Sequence, residues 1–330
     1  MKNTIVVILA LSEDNDETEI VEWWRRTYLN HAKSVIDVLQ SHESFSTKLV
    51  TSAQKEKFAA WKIDDIVTGI DFSDSVLVNE AVKGVYGVFV ITELNYKSHQ
   101  PLNDEVKRGR LIADVCLNLD IPHVIYSSLV HENAAIGLRS DVCDAKAHIS
   151  DYMDKIKLKK TILYVPFLYE DFTNGFMKPM RTENPSIHKI EAPIGHIAMD
   201  MMSMRDVGVC VKSLFENSTH WVGKTVALSG DRMTLHEYAT QMTETTYPII
   251  IRDGKLSPED FLKVFDVTGA EDMANYFDYL TRSVQRNNLS TTMILHPEIQ
   301  SFYDWVNQNK DSLISLFPHV NKNFHNGPIC

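Results

Sequence analysis

The sequence predicts an α/β fold: a doubly wound parallel sheet, followed by a smaller mixed, mostly helical C-terminal lobe. Three observations carry this. In the first half of the 330 residues, short β-branched runs alternate with segments of helical period, the pattern of right-handed βαβ units. Several of those runs are apolar almost throughout, as strands covered on both faces are. After Pro166 the alternation stops, and prolines, short strands and helices mix.

The elements run in chain order. Thr4–Leu9 is the first strand. Ile20, Trp24, Tyr28, Ala32, Val35 and Leu39 then fall on one helical stripe. Strands are predicted at Thr47–Thr51, Asp65–Thr68, Val85–Ile91, His123–Tyr126 and Thr161–Val165. Asp74 to Val82 is a helix opened by a Ser73/Asp74 cap, with Leu77 and Ala81 four apart. Leu102 to Leu119 and Asp141 to Lys157 are two more helices. Asn174–Pro193 reads as loop, because Gly175, Pro179, Pro185 and Pro193 interrupt it. Asp206–Phe215 and His236–Thr245 are helical, Thr225–Ser229 is a strand, and Ser257-Pro258 starts a helix with Ser at the cap. A polar tail begins at Asn321. The sheet domain spans 1–165 and is completed by about 196–235; the smaller lobe takes 166–195 and 236–330.

Composition excludes several function classes. The formal charge of −11 disfavours a nucleic-acid partner, since a net negative surface repels a phosphate backbone. No apolar run reaches the roughly 18–20 residues of a membrane span, and Ile5–Leu11 followed by Ser12-Glu13-Asp14 is no signal peptide. Cys116, Cys143, Cys210 and Cys330 lie far apart, which reads as reduced thiols in a cytoplasmic or nuclear protein. No paired Cys/His cluster suggests a metal.

A sheet of this kind invites a dinucleotide, whose pyrophosphate needs a glycine turn after the first strand. Here Leu9 is followed by Ala10-Leu11-Ser12-Glu13-Asp14-Asn15-Asp16-Glu17, and the first glycine of the chain is Gly69. The segment reads as an acidic solvated loop feeding an amphipathic helix, with Trp23-Trp24-Arg25-Arg26 as a candidate docking element. Nor does any tyrosine have lysine four residues on, the Tyr-x-x-x-Lys pair of short-chain dehydrogenases. Ser127 and Ser128 end a predicted strand and read as turn-capping serines. Lys146 reads as a surface lysine or, more sharply, as a ligand or acid/base residue. The run Lys155–Lys160 reads as solvated charge near a helix C-terminus.

The segment Val82-Lys83-Gly84-Val85-Tyr86-Gly87-Val88-Phe89-Val90-Ile91-Thr92 resembles the NmrA-like family, atypical relatives of the short-chain dehydrogenases, and within it the NADPH-sensing branch. Glu105–Asp114, His123–Leu129, Val165–Asp171, Met199–Gly208, Lys255–Asp260 and Ala270–Asn275 carry the likeness, which covers residues from about 44 to 310. The resemblance implies a Rossmann-like domain, NADP(H) binding, little dehydrogenase chemistry, and regulation of a protein partner according to cofactor occupancy; monomer and homodimer both stay open. By position it implies cofactor contacts at Lys55, Asp71, Phe72, Thr92, Glu93, Lys107, Lys146 and the stretch Phe167, Leu168, Tyr169, Glu170. Where the family holds the 2′-phosphate with Arg, this chain has Ser52, with Lys55 and Lys57 nearby. With glycine turn and Arg both missing, NADP(H) binding is expected to be weak or absent. If the segment 12–30 folds over the cleft, Arg25 or Arg26 becomes the candidate replacement. The alternative is an NADPH-dependent reductase of the isoflavone- or quinone-reductase type, with Lys146 as acid/base.

Overall fold

β1 (Asn3–Ala10) is the centre of the molecule: residues Ile5 to Ala10 are all fully buried, and parallel neighbours flank it on both sides. The computed structural model describes residues 2–12, 17–63, 65–129, 137–283 and 287–317. The acidic positions Glu13, Asp14 and Asp16, the tail from Asn321 and Cys330 lie outside the described residues.

After β1 come α1 (Glu19–Ser41), β2 (Phe45–Thr51), β3 (Asp65–Val67), α2 (Ser75–Val82), β4 (Gly87–Thr92), α3 (Pro101–Asn118), β5 (His123–Ser128), α4 (Asp141–Lys155) and β6 (Lys160–Tyr164). The second half runs β7 (Phe167–Leu168), α5 (Asp171–Asn174), β8 (Met180–Arg181), β9 (Ile187–Ile190), β10 (Ala198–Met202), α6 (Met204–Glu216), α7 (Ser218–Trp221), β11 (Thr225–Ala227), β12 (Asp231–Thr234), α8 (Leu235–Thr246), β13 (Ile250–Asp253), α9 (Pro258–Val264), α10 (Ala270–Arg282), α11 (Leu289–Leu295), α12 (Phe302–Gln308) and α13 (Lys310–Ser315).

The main sheet has the order β11-β6-β5-β4-β1-β2-β3, with every pairing parallel. This is the doubly wound Rossmann-like order with one further strand, and its direction of winding reverses between β1 and β4. The expected sheet is therefore present, and most elements begin within two residues of their predicted starts. Asp74 caps α2 by accepting from the Val76 and Leu77 amides at 2.8 and 3.4 Å. Ser257 caps α9 by accepting from the Asp260 amide at 3.0 Å.

The expected loop at Asn174–Pro193 is the one element overturned. Ile187–Ile190 forms β9, paired antiparallel with β8 and parallel with β13. Its inward residues are His188 and Ile190, a period of two that the flanking prolines mask. A second small sheet has the order β12-β10-β7.

One helix crossing fixes the position of α1 over the sheet. α6 lies across α1 at Gly208, where a Cβ would stand 2.2 Å from the Ser34 carbonyl oxygen. The Gly208 amide donates to Ser34 Oγ at 2.8 Å. Only glycine permits that approach, and it pins the second half of α1 against the sheet. The 23-residue helix is about 34 Å long, against roughly 26 Å for the eight-residue β1. Its first turns overhang the C-terminal edge of the sheet.

Candidate functional site

In doubly wound sheets, ligands lie outside the strand C-termini at the point where the winding reverses. Here that crevice lies between the ends of β1 and β4. Glu93, just past β4, is 2 % exposed and fills it. Its Oε2 accepts from the Ser12 backbone amide at 2.6 Å, and its Oε1 accepts from Arg25 Nε at 3.0 Å. Arg25 is spent locally: Nη1 reaches Glu22 at 3.2 Å and Nη2 donates to the Ser12 carbonyl at 2.8 Å. Burial pushes the Glu93 carboxyl up, with Arg25 and the Ser12 amide pulling the other way. The chain thus sets its own carboxylate on a backbone N–H of the turn that offers such groups to a pyrophosphate in dinucleotide-binding relatives of this fold.

On the β5 side the crevice is packed shut by the overhang of α1. Trp23 and Trp24 are 3 % and 4 % exposed. Trp23 packs edge-on against Phe176, with ring centroids 4.8 Å apart, and its Nε1 donates to Asp171 Oδ1 at 2.7 Å. Asp171 also accepts from the Leu168 amide at 2.9 Å, and burial raises its carboxyl to about 7. Thr18 Oγ1 ties the start of the helix to the Thr268 carbonyl at 2.8 Å. What remains beside Trp24, His31, Ser127 and Ser128 is a cavity of about 20 Å³, little more than one water requires. His31 is wholly buried, neither ring nitrogen has a hydrogen bond, and burial lowers its pKa to about 3.

Beneath this packing lies a buried ion pair. Lys146 Nζ, 1 % exposed, contacts Glu105 Oε1 at 3.0 Å and donates to the Thr92 carbonyl at 2.6 Å. Thr92 Oγ1 donates to the same Glu105 oxygen at 2.5 Å and lies 3.1 Å from the Tyr126 hydroxyl. The ammonium also sits 4.7 Å from the centre of the Tyr28 ring. An ammonium held by a carboxylate, a carbonyl and an aromatic face has its donors directed inward.

The other end of the crevice is open. Past β2 and β3 lies a cleft of about 400 Å³, lined by Leu11, Ser52, Ile70, Asp71, Phe72 and Arg108 among others. Asp71 Oδ1 accepts from the Ser73 hydroxyl at 2.7 Å and the Ser73 amide at 2.8 Å, which hold its carboxyl below the ordinary range. Arg108 Nη2 donates to the Glu93 carbonyl at 2.6 Å.

The residues singled out in the sequence divide accordingly. Asp71 and Phe72 line the open cleft; Lys146 and Phe167 line the closed one; Thr92 and Glu93 stand between. Leu168 and Tyr169 are fully buried, and the Tyr169 hydroxyl donates to Asp231 Oδ2 at 3.1 Å. Glu170 anchors α6 instead, accepting from the Met204 amide at 2.9 Å and Trp305 Nε1 at 3.1 Å. Lys55 is exposed on a 3-10 turn, and Lys107, 73 % exposed, pairs with Asp104 at 3.4 Å; neither lines the open cleft or the closed cavity. Arg26 faces an outer groove of about 530 Å³ with Lys178 and Arg181. Lys160, read as solvated charge, is buried and paired with Asp154.

Sequence reasoning missed Glu105, Arg108, His31 and Asp171. Helical period was the available signal for the first two: α3 buries Glu105, Gly109 and Ile112, so Lys107, two residues past Glu105, points away. Among the described residues no group of three or more His, Cys, Asp or Glu could hold a metal, and no helix is long and apolar enough to cross a membrane.

Comparison with known proteins adds the lineage. The model of the NmrA-like family matches residues 30–303. Prestalk A differentiation protein A of Dictyostelium discoideum is 23% identical over 232 residues, 68% of each chain. The solved structure of NmrA, a negative transcriptional regulator, in complex with NADP has a TM-score of 0.69 at 15% identity, covering 96% of each chain. An NADPH-dependent quinone oxidoreductase of Escherichia coli complexed with NADPH has a TM-score of 0.66 at 14% identity, covering 92% of this chain and 99% of that one. Likenesses at these identities speak for the fold.

Proposed function

The chain belongs to the NmrA-like family, and from that lineage we propose that it is a non-catalytic regulatory member: a redox-sensor-type fold in which NADP(H) binding is weakened or lost, acting through a protein partner in the cytoplasm or nucleus. The observation that carries this is the Glu93 carboxylate, seated 2.6 Å from the Ser12 amide. A dinucleotide must pass its pyrophosphate through that point, where it would meet a buried carboxylate and an arginine already engaged on three sides. Beyond it, the nicotinamide end would have to displace Trp24 and its neighbours from a cavity of about 20 Å³. The residues present therefore do not fit an intact NADP(H), and no reaction step is routed through one.

A reductase reading draws on the likeness to the quinone oxidoreductase. Against it, Lys146 is 1 % exposed and bound to Glu105, so it offers no proton to a substrate while the structure stays closed.

Titration of the purified protein with NADPH, with NADH as control, tests the proposal through ligand fluorescence and thermal stability. Silence up to millimolar concentration is expected. Saturable micromolar binding that prefers NADPH would overturn it.

A further inference from the structure

The overhang of α1 has an outer side as well as an inner one. Trp23, Trp24 and Arg25 are taken up within the molecule, but Arg26, next in the same run, is exposed. It stands on the wall of the groove of about 530 Å³ between the first turns of α1 and the chain from Asn174 to Arg181, a volume within the range of ligand pockets. This groove shares no lining residue with the open cleft and only Trp23 with the closed cavity. Its α1 wall lies before residue 30, where the match to the family begins.

Charge, backbone and packing in the groove converge on one kind of ligand. Glu19, Glu22 and Arg26 share a helix face, so the α1 wall is acidic at the helix start and basic about 10 Å further along. Lys178 and Arg181 stand on the other wall. Glu17, Glu19, Arg26, Lys178 and Arg181 are exposed, and none of them forms an ion pair among the described residues. The backbone contributes through β8, the edge strand of its sheet. Thr182 N–H bonds the Ile187 carbonyl at 3.2 Å, which makes Arg181 and His188 the non-hydrogen-bonded pair of the ladder. The Arg181 N–H and C=O therefore point away from β9, as a strand edge open to a further strand does. The floor is tight: a Cβ on Gly175 would stand 2.9 Å from Trp23 Cδ1. Met180, 47 % exposed, offers an adaptable apolar contact on the rim.

We propose that this groove receives an extended peptide segment of the protein partner, carrying an acidic side chain at one end and a basic one at the other. The proposal rests on the reading that the chain acts through a protein partner, and it names the surface and chemistry of that contact. The segment lies beside β8 as an added strand, bonded to the Arg181 N–H and C=O. Its acidic side chain meets Arg26 and Lys178, its basic side chain meets Glu17 and Glu19, and an aliphatic residue between them covers Met180. A segment with one sign of charge at both ends would set like charges together at one end of the groove, and such juxtaposition rejects wrong partners.

Fluorescence anisotropy on the full chain tests this with four labelled, end-blocked peptides that share a valine-rich centre. Their ends are acidic then basic, basic then acidic, acidic at both, and basic at both. One of the mixed peptides is expected to bind saturably, about tenfold or more tighter than either uniform one. Glu19→Lys and Lys178→Glu, both at exposed positions, are each expected to weaken it by about tenfold at an unchanged melting temperature of the free protein. N-methylation of every second amide of that peptide is expected to weaken binding in one phase and spare it in the other. Indifference to both phases overturns the added strand. Uniform peptides that bind as well as mixed ones overturn the ligand chemistry, and mixed-peptide binding indifferent to both variants overturns the assignment to this groove. Silence of all four at millimolar concentration overturns the docking proposal, while the cofactor reading is judged separately by the NADPH titration.

Discussion

At the β5 end of the crevice, the wall is made of tryptophan, tyrosine and a buried ion pair, each residue held by packing or by a partner far away in sequence. At the β2 end, the wall is made of short polar side chains over a few apolar ones, and much of it faces solvent. Both ends belong to one crevice of one fold. The closed end has become part of the core, so its residues now determine stability; the open end is free of that duty and can be altered with little effect on folding. The contrast separates the residues that hold the molecule together from those left facing solvent.

The severest test of this contrast lies at Lys146. Lys146→Ala strands the Glu105 carboxylate in the core, and removing one partner of a buried pair costs about 3–5 kcal/mol. Urea unfolding checks it, and a loss below about 1 kcal/mol would mean the pair behaves as a surface one. The double variant Lys146→Met/Glu105→Leu is expected to recover most of the loss, because apolar replacements of a buried pair are often neutral.

Trp24 comes next. Trp24→Ala is expected to destabilise by about 3–5 kcal/mol through the cavity it leaves, whereas Trp24→Phe loses far less, since the indole Nε1 has no hydrogen bond to give up. Equal effects of the two would show that the ring is not packed as described.

A smaller effect of opposite sign is expected at His31. Both of its nitrogens are buried without partners, and His31→Phe removes a penalty of about 1–3 kcal/mol; the adjoining cavity of about 20 Å³ gives the larger ring room. The pH dependence carries a signature. The His31 pKa is about 3 in the folded protein against an ordinary 6.5, so the unfolded chain takes up the proton first. Its contribution to stability is present above pH 6.5 and is lost as pH falls toward 3. Asp171 has the opposite sign: its carboxyl, raised from 3.8 to about 7, contributes stability below the lower value that is lost as pH rises through the upper one. Melting curves of His31→Phe between pH 3 and 7 should therefore fall less steeply on the acid side than those of the parent.

The smallest effect is expected at the open end. Asp71→Asn should change stability by no more than about 0.5 kcal/mol, because the side chain is exposed and bonded only to its neighbour Ser73. A loss comparable to that of Trp24→Ala would erase the distinction between the two ends.

The legibility of these residues in the sequence tracks the same division. The stripe Ile20, Trp24, Tyr28, Ala32, Val35, Leu39 can be read at once, since one helix face is a local periodic pattern, and all six are buried on α1. Trp23 lies off that stripe. Its burial comes from Phe176 and Asp171, well beyond β6 in the chain, and no local pattern announces it. Asp71 and Phe72 enter only through the family resemblance, as cofactor contacts, and the structure places both on the open cleft. Lys146 is readable as a candidate but not as a core residue, because its partner Glu105 lies 41 positions earlier.

Local pattern along the chain is enough to establish the alternation that winds the sheet, the family, and the absence of a glycine turn after β1, since each is written in neighbouring residues or in their spacing. What took that turn's place is a matter of tertiary structure alone. The Glu93 carboxylate reaches the Ser12 amide across 81 positions, and Trp23 reaches Asp171 across 148. Such pairs form where α6 presses α1 onto the sheet and the helix outruns β1. Chain periodicity reports which face of an element is apolar; it does not report which distant group will be waiting opposite.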